Sequence, residues 1–279
     1  DYAAIVNCFW DTVTSGLSTG YNLDLSYPGT INNVVGLQTD LMQMESTFTA
    51  VGWDFVNEIA NGTHQLWQMP TEGGYPVLSY FNGYMPVVLS GDGTSSSPYL
   101  INNVMELGAI CYYDRNAYYK LQTNIDLTGI QWTMPIVPVL GGSFDGDGHT
   151  IRNLTIDTAG ASLNCVGLFG KIDSATAEVK NLGIENCTIT GGIDSNNLGC
   201  LCGYNNGTIT KCYATGLVNG GDNSYLLGGL CGYNVGTIIN SYATGLVTGD
   251  EYLGGIIGQN VGTITNCNAT SSVSGGECV

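Results

Sequence analysis

The residues of this 279-residue chain whose chemistry could go beyond packing are ten cysteines, two histidines and a set of carboxylates. Asp145, Asp147, His149 and Arg152 lie close together in the sequence. Paired carboxylates at a fixed separation can act as acid and base, or as acid and nucleophile, in glycoside hydrolysis. On an extended strand Asp145 and Asp147 would share a face about 7 Å apart. A polysaccharide lyase would instead draw on Arg152 or Arg115 as a basic group beside such acids. Gly146 and Gly148 flank the two carboxylates, however, and make the segment turn-rich. Hydrogen bonding to neighbouring backbone is then the simpler role, and the expectation is a protein that is not an enzyme.

Metal chemistry finds little support. No C-x₂-C pair is present to suggest a zinc ribbon. Cys200 and Cys202 form a C-x-C, which on a strand faces one side and reads as small apolar core. Six basic against 23 acidic residues give a net charge of −17. That balance repels nucleic acid. It could draw a divalent cation such as calcium, yet it more often keeps a surface solvated. No apolar run is long enough to cross a membrane as a helix.

N-x-S/T sequons at Asn61, Asn153, Asn186, Asn206 and Asn268 permit glycosylation if the chain is exported. Trp10, Trp53 and Trp67 offer flat apolar faces that could stack on carbohydrate, or could plug the end of a core.

These groups must be positioned by something, and the chain supplies a repeat. LGCLCGYNNGTITKCYATGLVNG from Leu198, LGGLCGYNVGTIINSYATGLVTG from Leu227 and LGGIIGQNVGTITNCNATSSVSG from Leu253 are offset by 29 and 26 residues. A period in this range, with short alternating strands and Gly turns, is the signature of a solenoid whose coils stack to bury a shared core. The predicted fold is all-β: a parallel β-solenoid with small α/β insert or cap regions. In Thr237–Tyr242 strict alternation would put Ile238, Asn240 and Tyr242 on one face and Thr237, Ile239 and Ser241 on the other, without deciding which is inside. Asn205, Asn234 and Asn260 occupy matched positions, which predicts an amide ladder from coil to coil. Degenerate copies carry the stack back through Val179–Thr188 to about residue 144.

GGLCGYNVGTIINSYATGLVTG resembles the GLUG repeat of secreted and surface proteins, and the resemblance spans 198–275. FDGDGHTIRNL is similar to the coil that introduces such arrays. The resemblance implies a parallel β-helix with adhesive or scaffolding use, and it carries no catalytic residues to transfer.

Residues 1–16, DYAAIVNCFWDTVTSG, also look like the closing half-coil of such an array, with Ile5, Asn7 and Cys8 aligned to Ile238, Asn240 and Ser241. Residues 17–89 then read as a tail or insert with a short helix near Thr39, taken as its N-cap. Residues 90–143 read as a linker and cap, with Asn102 or Asn103 starting a helix. Residues 144–279 are the coils. In this register Asp1 matches Asn234 and Val279 matches Leu253. The expectation is therefore head-to-tail assembly through Asp1, Ile5, Cys8, Trp10, Cys267, Cys278 and Val279. The alternative is a fragment of a larger surface adhesin.

Cys187, Cys212, Cys267 and Cys8 fall in one repeat column with Ser241, and Cys202 and Cys231 fall in another. Stacked coils bring such residues close enough for a Cys202–Cys231 disulfide, or for a junction bond from Cys267 or Cys278 to Cys8 of a neighbour. The expected setting is extracellular or cell-surface. The expected partners are other copies of the chain and, in second place, surface glycans.

Overall fold

A computed structural model describes residues 4–16, 30–71, 73–79 and 87–275. The chain forms a parallel β-solenoid whose coils run repeatedly through four sheets. Sheet A stacks Tyr99–Ile101, Tyr118–Leu121, Ser143–Asp145, Glu178–Lys180, Thr208–Thr210, Thr237–Ile239 and Thr263–Thr265. Sheet B includes Gly183–Thr190, Tyr213–Asn219 and Tyr242–Thr248. Sheet C holds Asn164–Val166, Asn196–Gly199, Tyr225–Gly228 and Glu251–Gly254. Sheet D holds Val137–Leu140, Phe169–Ile172, Cys202–Asn205, Cys231–Asn234 and Ile257–Asn260. All pairings within these four sheets are parallel, which places each coil directly on its predecessor.

The register fixes the repeat. Leu198 pairs with Leu227, and Leu227 with Leu253. The shorter second offset arises in the turn between sheets B and C. Asn219 matches Thr248 and Tyr225 matches Glu251, so the second copy loses residues only where the chain is turning outside the ladders.

Inward residues form continuous apolar columns. Phe144, Val179, Ile209 and Ile238 are fully buried one above another. One such column continues the hydrophobic driving force of the next, so each coil is stable chiefly because its neighbours cover its interior.

Strict alternation fails at one recurring place, and a left-handed residue explains it. Ile238 points inward, but Asn240 has φ 51°. That kink turns the chain by one face, so Ser241 is buried and Tyr242 is exposed. Asn181, Lys211 and Asn266 share the conformation, at φ 51°, 54° and 53°. Asn tolerates this region better than most side chains, which accounts for its recurrence.

The stack extends further back than residue 144. Tyr119 pairs with Phe144 and with Tyr99 in sheet A. Residues 99–143 thus supply solenoid rungs, although their spacing no longer resembles the repeat. The helix Val104–Ala109 interrupts them, capped by Asn103, whose Oδ1 accepts from the Glu106 N–H at 3.0 Å.

Ala4–Asp11, from the expected closing half-coil, pairs in parallel with Thr30–Leu37 and so belongs with the insert. Asn7 and Asn33 adopt φ 50° and 51°, matching Asn240 and agreeing with the alignment of Asn7 to it. Two short helices follow, Thr39–Met42 and Glu45–Thr49. Thr39 is the first helical residue; the cap position is Gln38, which makes no side-chain cap bond. Phe48, Phe55 and Met42 form a small second core with Phe9, Trp53 and Trp67 against it.

Candidate functional site

The insert docks on the solenoid through a polar seam that is exposed at Ala60 and Gln131 and buried at His64 and Ile136. Ala60 O accepts from Gln131 N at 2.7 Å, and the His64 ring bonds Ile136 O at 2.8 Å. A carbonyl can only accept, so His64 Nε2 carries the proton and Nδ1 keeps a lone pair. Asp54 sits beside it, its two carboxylate oxygens accepting from His64 N at 2.7 Å and Gln65 N at 3.0 Å. Burial pushes the Asp54 carboxyl up to about 7 despite those two bonds. Burial also holds the His64 imidazole below its ordinary value. The two side chains are 3.9 Å apart and are therefore neighbours of reduced charge rather than a strong ion pair.

A cavity of about 270 Å³ opens beside this seam. Trp53, Trp67 and Trp132 give it aromatic walls, and Asp54, Asn61 and His64 give it polar ones. Trp53 and Trp67 are stacked with centroids 4.4 Å apart, and Trp53 Nε1 donates to Asn7 O at 3.1 Å. Trp132 is 1% exposed, and its indole N–H finds no acceptor. Sequence reasoning singled out Trp53 and Trp67 but missed Asp54, His64 and Trp132. His64 is one of only two histidines, which was the available signal; its partners lie on segments that only folding brings together.

The carboxylates at 145 and 147 do not share a strand face. The strand ends at Asp145, and Asp147 turns away in a left-handed conformation at φ 51°. Asp145 Oδ1 accepts from Asp147 N and from Asn181 Nδ2 of the next coil, at 2.9 and 3.0 Å. Asp147 pairs with Lys120 at 3.0 Å, and Arg152 pairs with Glu185 at 2.8 Å. These are coil-to-coil contacts.

The amide ladder is present. Asn205 Nδ2 donates to Asn234 Oδ1 at 2.7 Å, and Asn234 Nδ2 to Asn260 Oδ1 at 2.6 Å. Cys202 and Cys231 lie in register on adjacent coils, and both are buried. The other cysteine column needs correction. Cys212 and Ser241 share a column with Cys267 and, above them, Leu182. Cys187 instead pairs with Gly216, because Gly183 pairs with Tyr213 and the position that matches Cys212 is Leu182, well before Cys187.

Of the expected assembly residues, Ile5 lies in the first strand, Cys8 is exposed, Trp10 is half-buried, and Cys267 is half-buried in the last full coil. Asp1, Cys278 and Val279 lie outside the described residues. The sequon asparagines differ in environment. The amides of Asn61, Asn153 and Asn186 already donate to Thr49 O, Asp126 Oδ1 and Asn153 Oδ1. Asn206 is half-buried and Asn268 exposed. Among the described residues no three His, Cys, Asp or Glu side chains converge as a metal site, and no helix is long and apolar enough to cross a membrane.

Comparison with known proteins places these features. Over 150 residues, 48% of its length, the chain is 37% identical to Halomucin of Haloquadratum walsbyi, of which it spans 2%. A crystal structure from Bacteroides ovatus, provisionally named an immunoglobulin A1 protease, is similar over 66% of this chain and 69% of its own, with 23% identity and a TM-score of 0.46. The GLUG motif model matches residues 223–248 and 249–274. The first match contains one strand from each of sheets C, D, A and B, in that order, and the second repeats the order with two short strands, Asn268–Ala269 and Ser272–Ser274, in sheet B. Residues 223–274 are therefore two consecutive GLUG motifs, each forming one coil of a parallel β-solenoid.

Proposed function

We propose that this chain is a structural stretch of a secreted or cell-surface protein, a stiff solenoid that lengthens by adding coils head to tail. The observation that carries the reading is the parallel register of four sheets, kept from coil to coil through residues 196–260, in which each coil is templated by the one before it. A stack of this kind transmits load along backbone hydrogen bonds and has no fixed length. The GLUG motifs and the similarity to a segment of Halomucin support a surface setting, as do the acidic charge and the sequons.

The strands of residues 251–275 offer backbone groups and the apolar side chains Val261 and Ile264, 62% and 39% exposed, to a further coil. We assign that coil to another copy of the chain, because the unit at Ala4–Asp11 repeats the left-handed asparagine of the coils. Light scattering across a concentration series, with negative-stain electron microscopy, tests this. Mass and rod length that grow with concentration support assembly. Rods of one length at every concentration overturn self-assembly and leave the scaffold reading alone.

A further inference from the structure

The cavity between insert and solenoid has no part in coil stacking. Its walls combine flat aromatic surface with polar groups whose hydrogen-bonding capacity is unspent. The Trp132 indole N–H is a buried donor without an acceptor. The Asn61 amide nitrogen is engaged by Thr49 O, which leaves its carbonyl oxygen as the free acceptor of a side chain that lines the cavity. Asp54 Oδ2 accepts from the His64 backbone N–H and lies 3.9 Å from His64 Nδ1, which keeps its lone pair, so the two atoms are not hydrogen-bonded to each other. One donor, two or three acceptors and aromatic walls are the complement of a ring that carries apolar C–H faces and adjacent hydroxyls.

We propose that this cavity binds one pyranose ring of an uncharged glycan. Vicinal hydroxyls donate to Asp54 and His64, a ring or hydroxyl oxygen accepts from the Trp132 N–H, and the C–H face packs on indole. The volume of about 270 Å³ suits a single sugar residue rather than an extended chain. The net charge of −17 disfavours uronic and sialic acids and selects the uncharged class. The site rests on the cavity alone and does not depend on head-to-tail assembly.

The test uses the full chain from a host without N-glycosylation, so that Asn61 is unmodified. Tryptophan fluorescence and calorimetry follow titration with glucose, galactose, mannose, N-acetylglucosamine and glucuronate. Saturable binding of at least one uncharged sugar is expected, with glucuronate weaker. Trp132→Phe keeps the ring but removes the donor, and should weaken binding about tenfold, the loss of one hydrogen bond, while the melting temperature is held or raised. Asn61→Ala provides a second variant should Trp132→Phe not fold. No saturation with any uncharged sugar up to about 50 mM, far beyond millimolar affinity, overturns the proposal. So does binding that both variants leave unchanged.

Discussion

Asn205 and Asn234, 29 residues apart in sequence, are joined by an amide-to-amide hydrogen bond of 2.7 Å at a position where both are fully buried. Each also closes its own turn: Asn205 Oδ1 accepts from Gly207 N at 3.0 Å, and Asn234 Nδ2 donates to Gly236 O at 3.3 Å. Truncating the middle rung therefore leaves the buried Asn205 Nδ2 with only its bond to Gly207 O, whereas Asn260 Oδ1 below is exposed and can turn to water. Asn234→Ala should lower stability by about 1–3 kcal/mol, the cost of one buried group left short of a partner. Asn260→Ala, at an exposed rung, should cost less than half as much. Urea melts of the two variants check the order; equal losses would mean the ladder is not cooperative.

Close backbone approach makes one glycine indispensable. Gly245 has φ 135°, and a Cβ there would lie 1.8 Å from Gly216 O. Neither strand can retreat without breaking the ladder of sheet B. Gly245→Ala should destabilise by about 3 kcal/mol or more. Gly16, at φ 65° with open space around it, sets the contrast: Gly16→Ala should cost only about 1 kcal/mol. Thermal unfolding of both variants measures the difference.

The thiols should divide by burial. Cys8 and Cys111 are exposed, whereas Cys165, Cys187, Cys200, Cys202, Cys212 and Cys231 are buried. Burial pushes the Cys212 thiol up to about 12 and raises Cys187 and Cys202 as well, so little thiolate is present to react. An aromatic disulfide reagent should label Cys8 rapidly, Cys111 slowly because burial pushes its thiol up to about 12, and the buried thiols only on denaturation. A denatured thiol titre that rises by two after reduction would show one native disulfide, and peptide mapping would then test whether it joins Cys202 to Cys231.

Asp54 and His64 should give the insert opposing pH responses. The Asp54 carboxyl is raised to about 7 in the fold from 3.8, so its protonated form stabilises at low pH and that stability is lost as pH rises between those values. His64 is lowered below 6.5, so the fold must keep it neutral and loses stability as pH falls through that range. In the intact protein the two partly cancel between pH 4 and pH 7. Asp54→Asn should leave only the histidine effect, with melting temperature rising with pH. His64→Gln should leave only the carboxyl effect, with melting temperature falling as pH rises. Parallel profiles in both variants would refute the assignment.

The residues themselves settle much of this molecule. Repeats at 29 and 26 residues, the Gly turns and the matched Asn205, Asn234 and Asn260 determine a stacked parallel solenoid and its register, because each coil meets only its neighbours and the same contact recurs. Coils before residue 144 escape such reading. Their rungs at Tyr99 and Tyr119 are held by the same columns, but a helix and loops between them erase the period. Which face points inward was open for a local reason. A single left-handed residue such as Asn240 reverses the alternation, and Asn186 does the same for Cys187. Only tertiary packing assembled the cavity. Asp54 and His64 come from the insert and Trp132 from the solenoid, and their burial, altered acidity and unspent hydrogen bonds arise solely from long-range contact between the two.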